Sequence, residues 1–106
     1  MNPNSEQKRI AFGYERNSYK KVVIREGPAA CVKLIYYWYL DGKSTSEIRE
    51  ILEEDGIPSP RNGKKWSKQT IANILSNEHY VGSDEYPQII SEEEFKSVQD
   101  IKRAKK

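Results

Sequence analysis

The apolar positions of this chain fall into short periodic runs separated by glycine, proline and capping residues. Residues 28 to 41 carry two overlapping stripes: Val32, Ile35, Tyr36 and Tyr39, and Cys31, Leu34, Ile35 and Trp38. Both obey the i, i+3, i+4 spacing of a helix, so the pattern predicts a helix buried on more than half of its circumference. Pro28 suits the first turn, where its missing N–H costs nothing, and Gly42 closes the helix. A second helix is predicted over 45 to 55, with Ser44 and Glu47 as a capping box and Ile48, Ile51 and Leu52 facing inward. Gly56 supplies the left-handed terminal residue, Ile57 folds back, and Pro58 and Pro60 prevent continuation. A third helix is predicted over 68 to 77, with Ser67 as N-cap and Ile71, Ile74 and Leu75 inward.

A fourth helix opens on a second capping box, Ser91 with Glu94, and carries Phe95, Val98 and Ile101 or Lys102 along one side. Strand signals are brief. Gly13 between two aromatic residues predicts a tight turn, Val22-Val23-Ile24 a short strand, and Tyr80-Val81-Gly82 another that returns through Gln88-Ile89-Ile90. The fold class that follows is mainly α. A helix-turn-helix-like helical core, made by the second and third helices, is joined by a short β-hairpin or strand element and a closing C-terminal helix. The 106 residues suit one small domain, placed at 12 to 101, after a disordered lead over 1 to 11 and before a basic, frayed tail over 102 to 106.

Composition adds a thin core, at 36% hydrophobic residues, and a net charge of only +2. The distribution of charge says more than the total. Residues 41 to 55 hold six acids against two bases, and 78 to 100 hold seven acids against one base. Between them, 56 to 77 hold four bases (Arg61, Lys64, Lys65 and Lys68) and no acid. That segment is either a solvated turn or a face turned to a polyanion. The single cysteine allows no internal disulfide and no four-ligand zinc site, which fits a reducing cytoplasm. No apolar run approaches the roughly 20 residues a membrane helix needs, and the polar N-terminus lacks a signal peptide's apolar segment. A cytoplasmic protein without membrane contact is expected.

Few residues suggest chemistry. His79 is the only histidine and Cys31 the only cysteine, and they stand far apart in sequence. Cys31 reads as a buried structural residue, and His79 as a cap on the third helix's C-terminus. Glu92, Glu93 and Glu94 read as acids complementing a helix dipole rather than as a paired-carboxylate site. No glycine-rich phosphate loop occurs. No catalytic residue, metal ligand or cofactor is therefore expected, and the chain reads as non-enzymatic on its own.

Helix, turn, helix and a short β-ribbon is a DNA-reading layout, although the connection over 56 to 66 is longer than a tight helix-turn-helix turn. The third helix presents Gln69, Thr70 and Asn73 as candidates for base edges, and Gln69 and Asn73 can grip the N6 and N7 of adenine. Lys68 and Thr70 sit at its N-terminus beside Ser67, where a phosphate is welcome. Arg61, Lys64 and Lys65 can neutralise backbone charge, while Glu53, Glu54 and Asp55 must then face away from the duplex. Lys20 and Lys21 are weaker backbone candidates. The opposing reading is equally physical: polar residues opposite an apolar stripe describe any surface helix, and Asn62-Gly63 favours an ordinary reversal. Trp66 reads as an anchor for the loop rather than a platform for a base.

The ordered series Gly42, Ser44, Ile48, Leu52, Gly56-Ile57, Pro60, Gly63, Trp66-Ser67, Ile71, Ile74-Leu75, Asn77, Tyr80 and Gly82 resembles the recombinase domain of the large serine recombinases, within the resolvase/invertase superfamily. The resemblance covers about residues 12 to 101 and includes "PQIISEEEFKSVQ", similar to the family's closing helix. It implies a recombinase-type domain that binds double-stranded DNA at the recombination site beside the crossover, in integrases, transposases and excision recombinases of phages and bacterial mobile elements. It implies an upstream catalytic domain bearing the nucleophilic serine, through which the full-length protein forms a homo-oligomer, and usually a zinc ribbon downstream. This sequence carries neither, so it looks like the DNA-binding part alone. The resemblance also favours Val32, Ile35, Tyr36 and Tyr39 as the inward stripe, with Lys33 and Tyr37 outside. Between Gly82 and Pro87 the chain has only "SDEY", shorter and more acidic than the family's segment. The rival readings are a helix-turn-helix transcriptional regulator and a protein–protein module using Tyr37, Trp38 and Tyr39 as its surface.

Overall fold

A computed structural model describes residues 10–105. Two antiparallel strands, β1 (Tyr14–Arg16) and β2 (Val22–Ile24), precede α1 (Glu26–Leu40), α2 (Thr45–Glu54) and α3 (Lys68–Ser76). A 3-10 turn over Glu78–Val81 then leads to α4 (Glu92–Ala104). The strands pair Tyr14 with Ile24 and Arg16 with Val22. The hairpin reverses on Asn17, whose Oδ1 accepts from the N–H groups of Tyr19 and Lys21 at 2.9 and 3.0 Å. The first strand was not legible in the sequence pattern, and the expected strand and its return at 80 to 90 do not form. Asn77 instead caps the 3-10 turn by accepting from the His79 N–H at 3.0 Å. The N–H groups of Ile89 and Ile90 both donate to the Tyr80 carbonyl, so the returning chain closes on one residue rather than on a ladder.

The helices form where capping and periodicity agree. Both expected capping boxes are present, Ser44 with Glu47 and Ser91 with Glu94, and the Ser67 side chain accepts from the Thr70 N–H. α1 and α2 end alike. Gly42 and Gly56 take φ of 102° and 69°, and the next N–H in each case bonds back to Trp38 or Leu52 at 3.0 Å. This closes the helix end as a Schellman motif, for which a left-handed glycine is the natural residue. α1 begins at Glu26, two residues before the expected start, and Pro28 still lies in the first turn. α4 continues through Ala104, so Lys102, Arg103 and Ala104, placed in a frayed tail over 102 to 106 from the sequence, are helical. Acids in the first turn of α4 and Lys102 and Arg103 in its last turn both oppose the helix dipole. Of the lead over 1 to 11, residues 1 to 9 lie outside the described residues, whereas Ile10 and Ala11 pack partly buried against the core.

The core lies where α1 meets α2, α3 and α4. Val32, Ile35 and Tyr36 from α1 join Ile48 and Leu52 from α2, Ile71 and Leu75 from α3, and Val98 from α4, all essentially sealed from solvent. The stripe Val32, Ile35, Tyr36 and Tyr39 does face inward, but Cys31 is buried with it. Three core tyrosines keep their hydroxyls satisfied by donating to carbonyls. Tyr36 donates to Ile74 at 2.8 Å, Tyr80 to Phe12 at 2.6 Å and Tyr14 to Pro87 at 2.6 Å. These bonds satisfy polar groups whose burial would otherwise be costly. They also tie the N-terminal segment to residues 80 to 87, and α1 to α3. The Gln99 side-chain N–H donates to the Leu75 carbonyl at 2.7 Å and locks α4 onto the end of α3.

Candidate nucleic-acid interface

The acid-free stretch is built on a rigid base. The Trp66 indole is buried, its Nε1–H donates to the Ile57 carbonyl at 2.8 Å, and the Phe12 ring meets it edge-on at 5.9 Å. Its backbone N–H donates to a carboxylate oxygen of Glu53 at 2.7 Å. Trp66 is thus the anchor that the sequence suggested. Glu53 is a tether that sequence reasoning missed, because its partner is a backbone group with no sequence signature. Within the loop, Asn62 adopts a left-handed φ of 61°, its N–H donates to the Ser59 carbonyl at 2.7 Å, and the Ser59 N–H donates to the Gly63 carbonyl at 2.9 Å. The reversal at Asn62-Gly63 holds Arg61, Lys64 and Lys65 exposed to solvent.

α3 starts immediately after this anchor. The Ser67 hydroxyl accepts from the Thr70 N–H at 3.0 Å and pairs with the Thr70 hydroxyl at 2.8 Å. No acid lies in the first turn of α3, so its positive dipole end is not offset by a side chain of its own. One turn on, the Gln69 side-chain N–H donates to the Asn73 Oδ1 at 2.8 Å. This leaves the Gln69 carbonyl oxygen and the two Asn73 side-chain N–H groups free to bond outward.

Beside α3 runs an open groove of about 1390 Å³, lined from two parts of the chain that are distant in sequence. Arg61, Lys65, Ser67, Thr70 and Asn73 line it, as the sequence reading would require of a common surface. Arg25 and Asn77 line it as well and were not anticipated. Asn77 continues the Thr70, Asn73 face by one turn, so its spacing could have flagged it; nothing local connects Arg25 to this surface. Among the described residues no Asp or Glu lines the groove, although acids are nearly as numerous as bases in the chain. Lys64, Lys68 and Gln69 are exposed outside the lining, and Glu53, Glu54 and Asp55 are absent from it. Lys20 and Lys21 belong elsewhere. They share a second cleft of about 460 Å³ with Arg16 from the hairpin and with Asp84 and Glu85.

The remaining candidates sort out simply. Cys31 is 4% exposed and burial pushes its thiol up to about 11, which makes it a poor nucleophile. His79 does not cap α3 with its ring; the ring stacks on Tyr86 at 4.1 Å, and the C-terminal end of α3 is closed by the Asn77 N–H reaching the Ile74 carbonyl. The expected aromatic surface is divided, because Tyr37 is 61% exposed while Tyr39 is buried and Trp38 half-buried. Among the described residues no group of three His, Cys, Asp or Glu is placed to hold a metal. No helix among them is long and apolar enough to cross a membrane.

A four-helix, helix-turn-helix-like domain with a β-hairpin and an acid-free groove along a capped helix is the class that the fold and site define. The chain belongs to the Recombinase family, whose model matches residues 26–105. It is also similar to a solved structure described as an LSR–DNA complex, LSR standing for large serine recombinase. That similarity has a TM-score of 0.72 and 27% identity, and covers 91% of this chain and 32% of that one. A second solved structure, from work on the sequence requirements of the Listeria innocua prophage attP site, matches with a TM-score of 0.72 and 28% identity. It covers 91% of this chain and 43% of that one. The chain therefore spans less than half of the solved chains it matches. The family resemblance carried by the ordered series from Gly42 to Gly82 holds, and the family match begins at α1 rather than at residue 12.

Proposed function

We propose that this chain is the DNA-binding domain of a site-specific serine recombinase and binds duplex DNA at the recombination site, beside the crossover. The observation that carries this reading is the acid-free groove along α3, with Arg61 and Lys65 on the anchored loop and Thr70 and Asn73 on the helix. In a chain with almost as many acids as bases, a surface so sorted favours a polyanion. The likeness to a chain from an LSR–DNA complex and to one from work on a prophage attP site points the same way.

In this reading Arg61, Lys64, Lys65 and Lys68 neutralise phosphates, and Ser67 and Thr70 orient the start of α3 towards the backbone. Gln69 and Asn73 meet base edges. Lys20 and Lys21 make a lesser backbone contact, weakened by Asp84 and Glu85 in the same cleft. The chain itself performs no catalysis. Strand cleavage belongs to a serine on a separate catalytic domain, through which the whole recombinase, bacterial or phage-encoded and cytoplasmic, assembles as a homo-oligomer.

The test is a titration of a labelled duplex, selected by the chain from a random-sequence library, across a series of salt concentrations. Each phosphate neutralised contributes a slope of roughly −0.9 in log K against log salt. Lys65→Ala is expected to weaken binding to selected and shuffled duplexes alike and to flatten the slope by about 1. An affinity for duplex DNA that does not respond to salt would sink the reading.

A further inference from the structure

Among the described residues, the groove along α3 receives a third cation, Arg25, from outside the loop and α3. The backbone of Arg25 is fixed on both sides. Its N–H donates to the Gly13 carbonyl at 2.8 Å, and its carbonyl accepts from the Ala29 N–H at 2.9 Å at the start of α1. The side chain leaves this fixed point 65% exposed. Its ion-pair partner is Glu15, at 3.9 Å and 54% exposed, and Glu15 does not line the groove. A pair that long and that wet holds the guanidinium weakly and can be exchanged for another anion.

The size of the groove constrains what enters it. At about 1390 Å³ it exceeds the roughly 300–1,000 Å³ of small-molecule pockets. Cations reach it from both of its described parts, and no carboxylate of the described residues lines it. A linear polyanion can meet Arg25 on one side and Arg61 and Lys65 on the other, whereas a small anion would meet one side alone.

We infer that the groove takes one strand of the duplex, with Asn73 towards its bases and its sugar-phosphate backbone against the cations, and that Arg25 is the phosphate contact on the N-terminal side, complementing Arg61 and Lys65 on the loop. Arginine suits that role because its planar fork can take two phosphate oxygens at once. This inference rests on the DNA-binding reading above and adds a second, sequence-distant clamp to it. Residues 10 to 14 and the start of α1 then belong to the interface rather than only to the scaffold.

The experiment compares the wild type with Arg25→Gln, Arg25→Lys, Glu15→Gln and Lys65→Ala on the selected duplex and a shuffled one, across salt. Melting curves establish that each variant is folded. Arg25→Gln is expected to lower affinity for both duplexes by the same factor and to flatten the salt slope by about 1. Arg25→Lys keeps the slope, and Glu15→Gln does not weaken binding. If Lys65→Ala flattens the slope and Arg25→Gln does not, the channel inference falls and the DNA-binding reading stands. If neither variant changes it, the reading of the groove itself falls. If Glu15→Gln weakens binding as much as Arg25→Gln, then Arg25 acts by holding the hairpin, and the inference is overturned.

Discussion

Gln69 and Asn73 stand one helical turn apart and are already joined by a hydrogen bond at 2.8 Å. The bond uses one amide donor of Gln69 and one lone pair of Asn73. What remains outward is an acceptor on Gln69 and a donor on Asn73, the complement of the N6 and N7 edge of adenine. Exchanging O and N in both amides still leaves an acceptor on one residue and a donor on the other. The two residues are then expected to read one base together. Alanine at either position should cost about 1–3 kcal/mol on the selected duplex. The double variant should cost about as much as either single one, because the first change already destroys the unit. A double-mutant cycle by titration decides this. Additive losses would mean two separate contacts, and equal losses on selected and shuffled DNA would remove both residues from base reading. Cys31 offers a second check at this scale. With its thiol pushed up to about 11 by burial, it should react with an aromatic disulfide reagent near neutral pH only after denaturant is added.

At the scale of elements, the anchored loop depends on one contact between α2 and the start of α3. Glu53 accepts from the Trp66 N–H at 2.7 Å, and a hydrogen bond to a charged group is worth about 1.5–3 kcal/mol when shielded. Glu53 is exposed, so Glu53→Ala should cost nearer 1 kcal/mol. It should weaken DNA binding more than its stability cost implies, because the loop bearing Arg61 and Lys65 loses its tether. Urea unfolding alongside DNA titration separates the two effects. Ser44→Ala and Ser91→Ala should each cost about 1 kcal/mol by loss of a cap, and Ser44→Ala should leave DNA affinity unchanged. The caps were legible in the sequence because their partners lie three residues away. The same locality explains the four helices and the glycine endings. β1 was not legible because "YERNS" has no apolar alternation. The strand expected at Tyr80 failed because Asn77 caps a 3-10 turn there and Tyr80 is drawn into the core. The site divides in the same way: the loop and α3 were legible as one contiguous stretch, whereas Arg25 joins them only through the tertiary fold.

The whole molecule is held by tyrosines as much as by aliphatic side chains, and this gives it an alkaline limit. Burial, followed by the neighbouring Tyr86, pushes the Tyr14 hydroxyl from 10.0 to about 12. Burial raises Tyr36 and Tyr80 further, with neighbouring tyrosines adding to it, and it carries the Cys31 thiol from 9.0 to about 11. All four groups hold their protons longer in the folded state than in the unfolded chain. Each tyrosine also donates its hydroxyl proton to a main-chain carbonyl, a bond that a phenolate cannot make. The sign follows from proton counting. Below about pH 9 both states keep these protons, and the stabilisation is present in full. Above it the unfolded chain binds fewer protons than the folded one, so stability falls as pH rises. The melting temperature, followed by circular dichroism, should therefore hold steady up to about pH 9 and fall steadily through the range in which Cys31 and Tyr14 titrate, about 11 to 12. Tyr80→Phe removes one such proton and one buried hydrogen bond. It should cost about 1 kcal/mol at neutral pH and make the alkaline decline shallower. A melting temperature that stays flat through pH 11, or a Tyr80→Phe profile parallel to that of the wild type, would show that these hydroxyls do not set the limit.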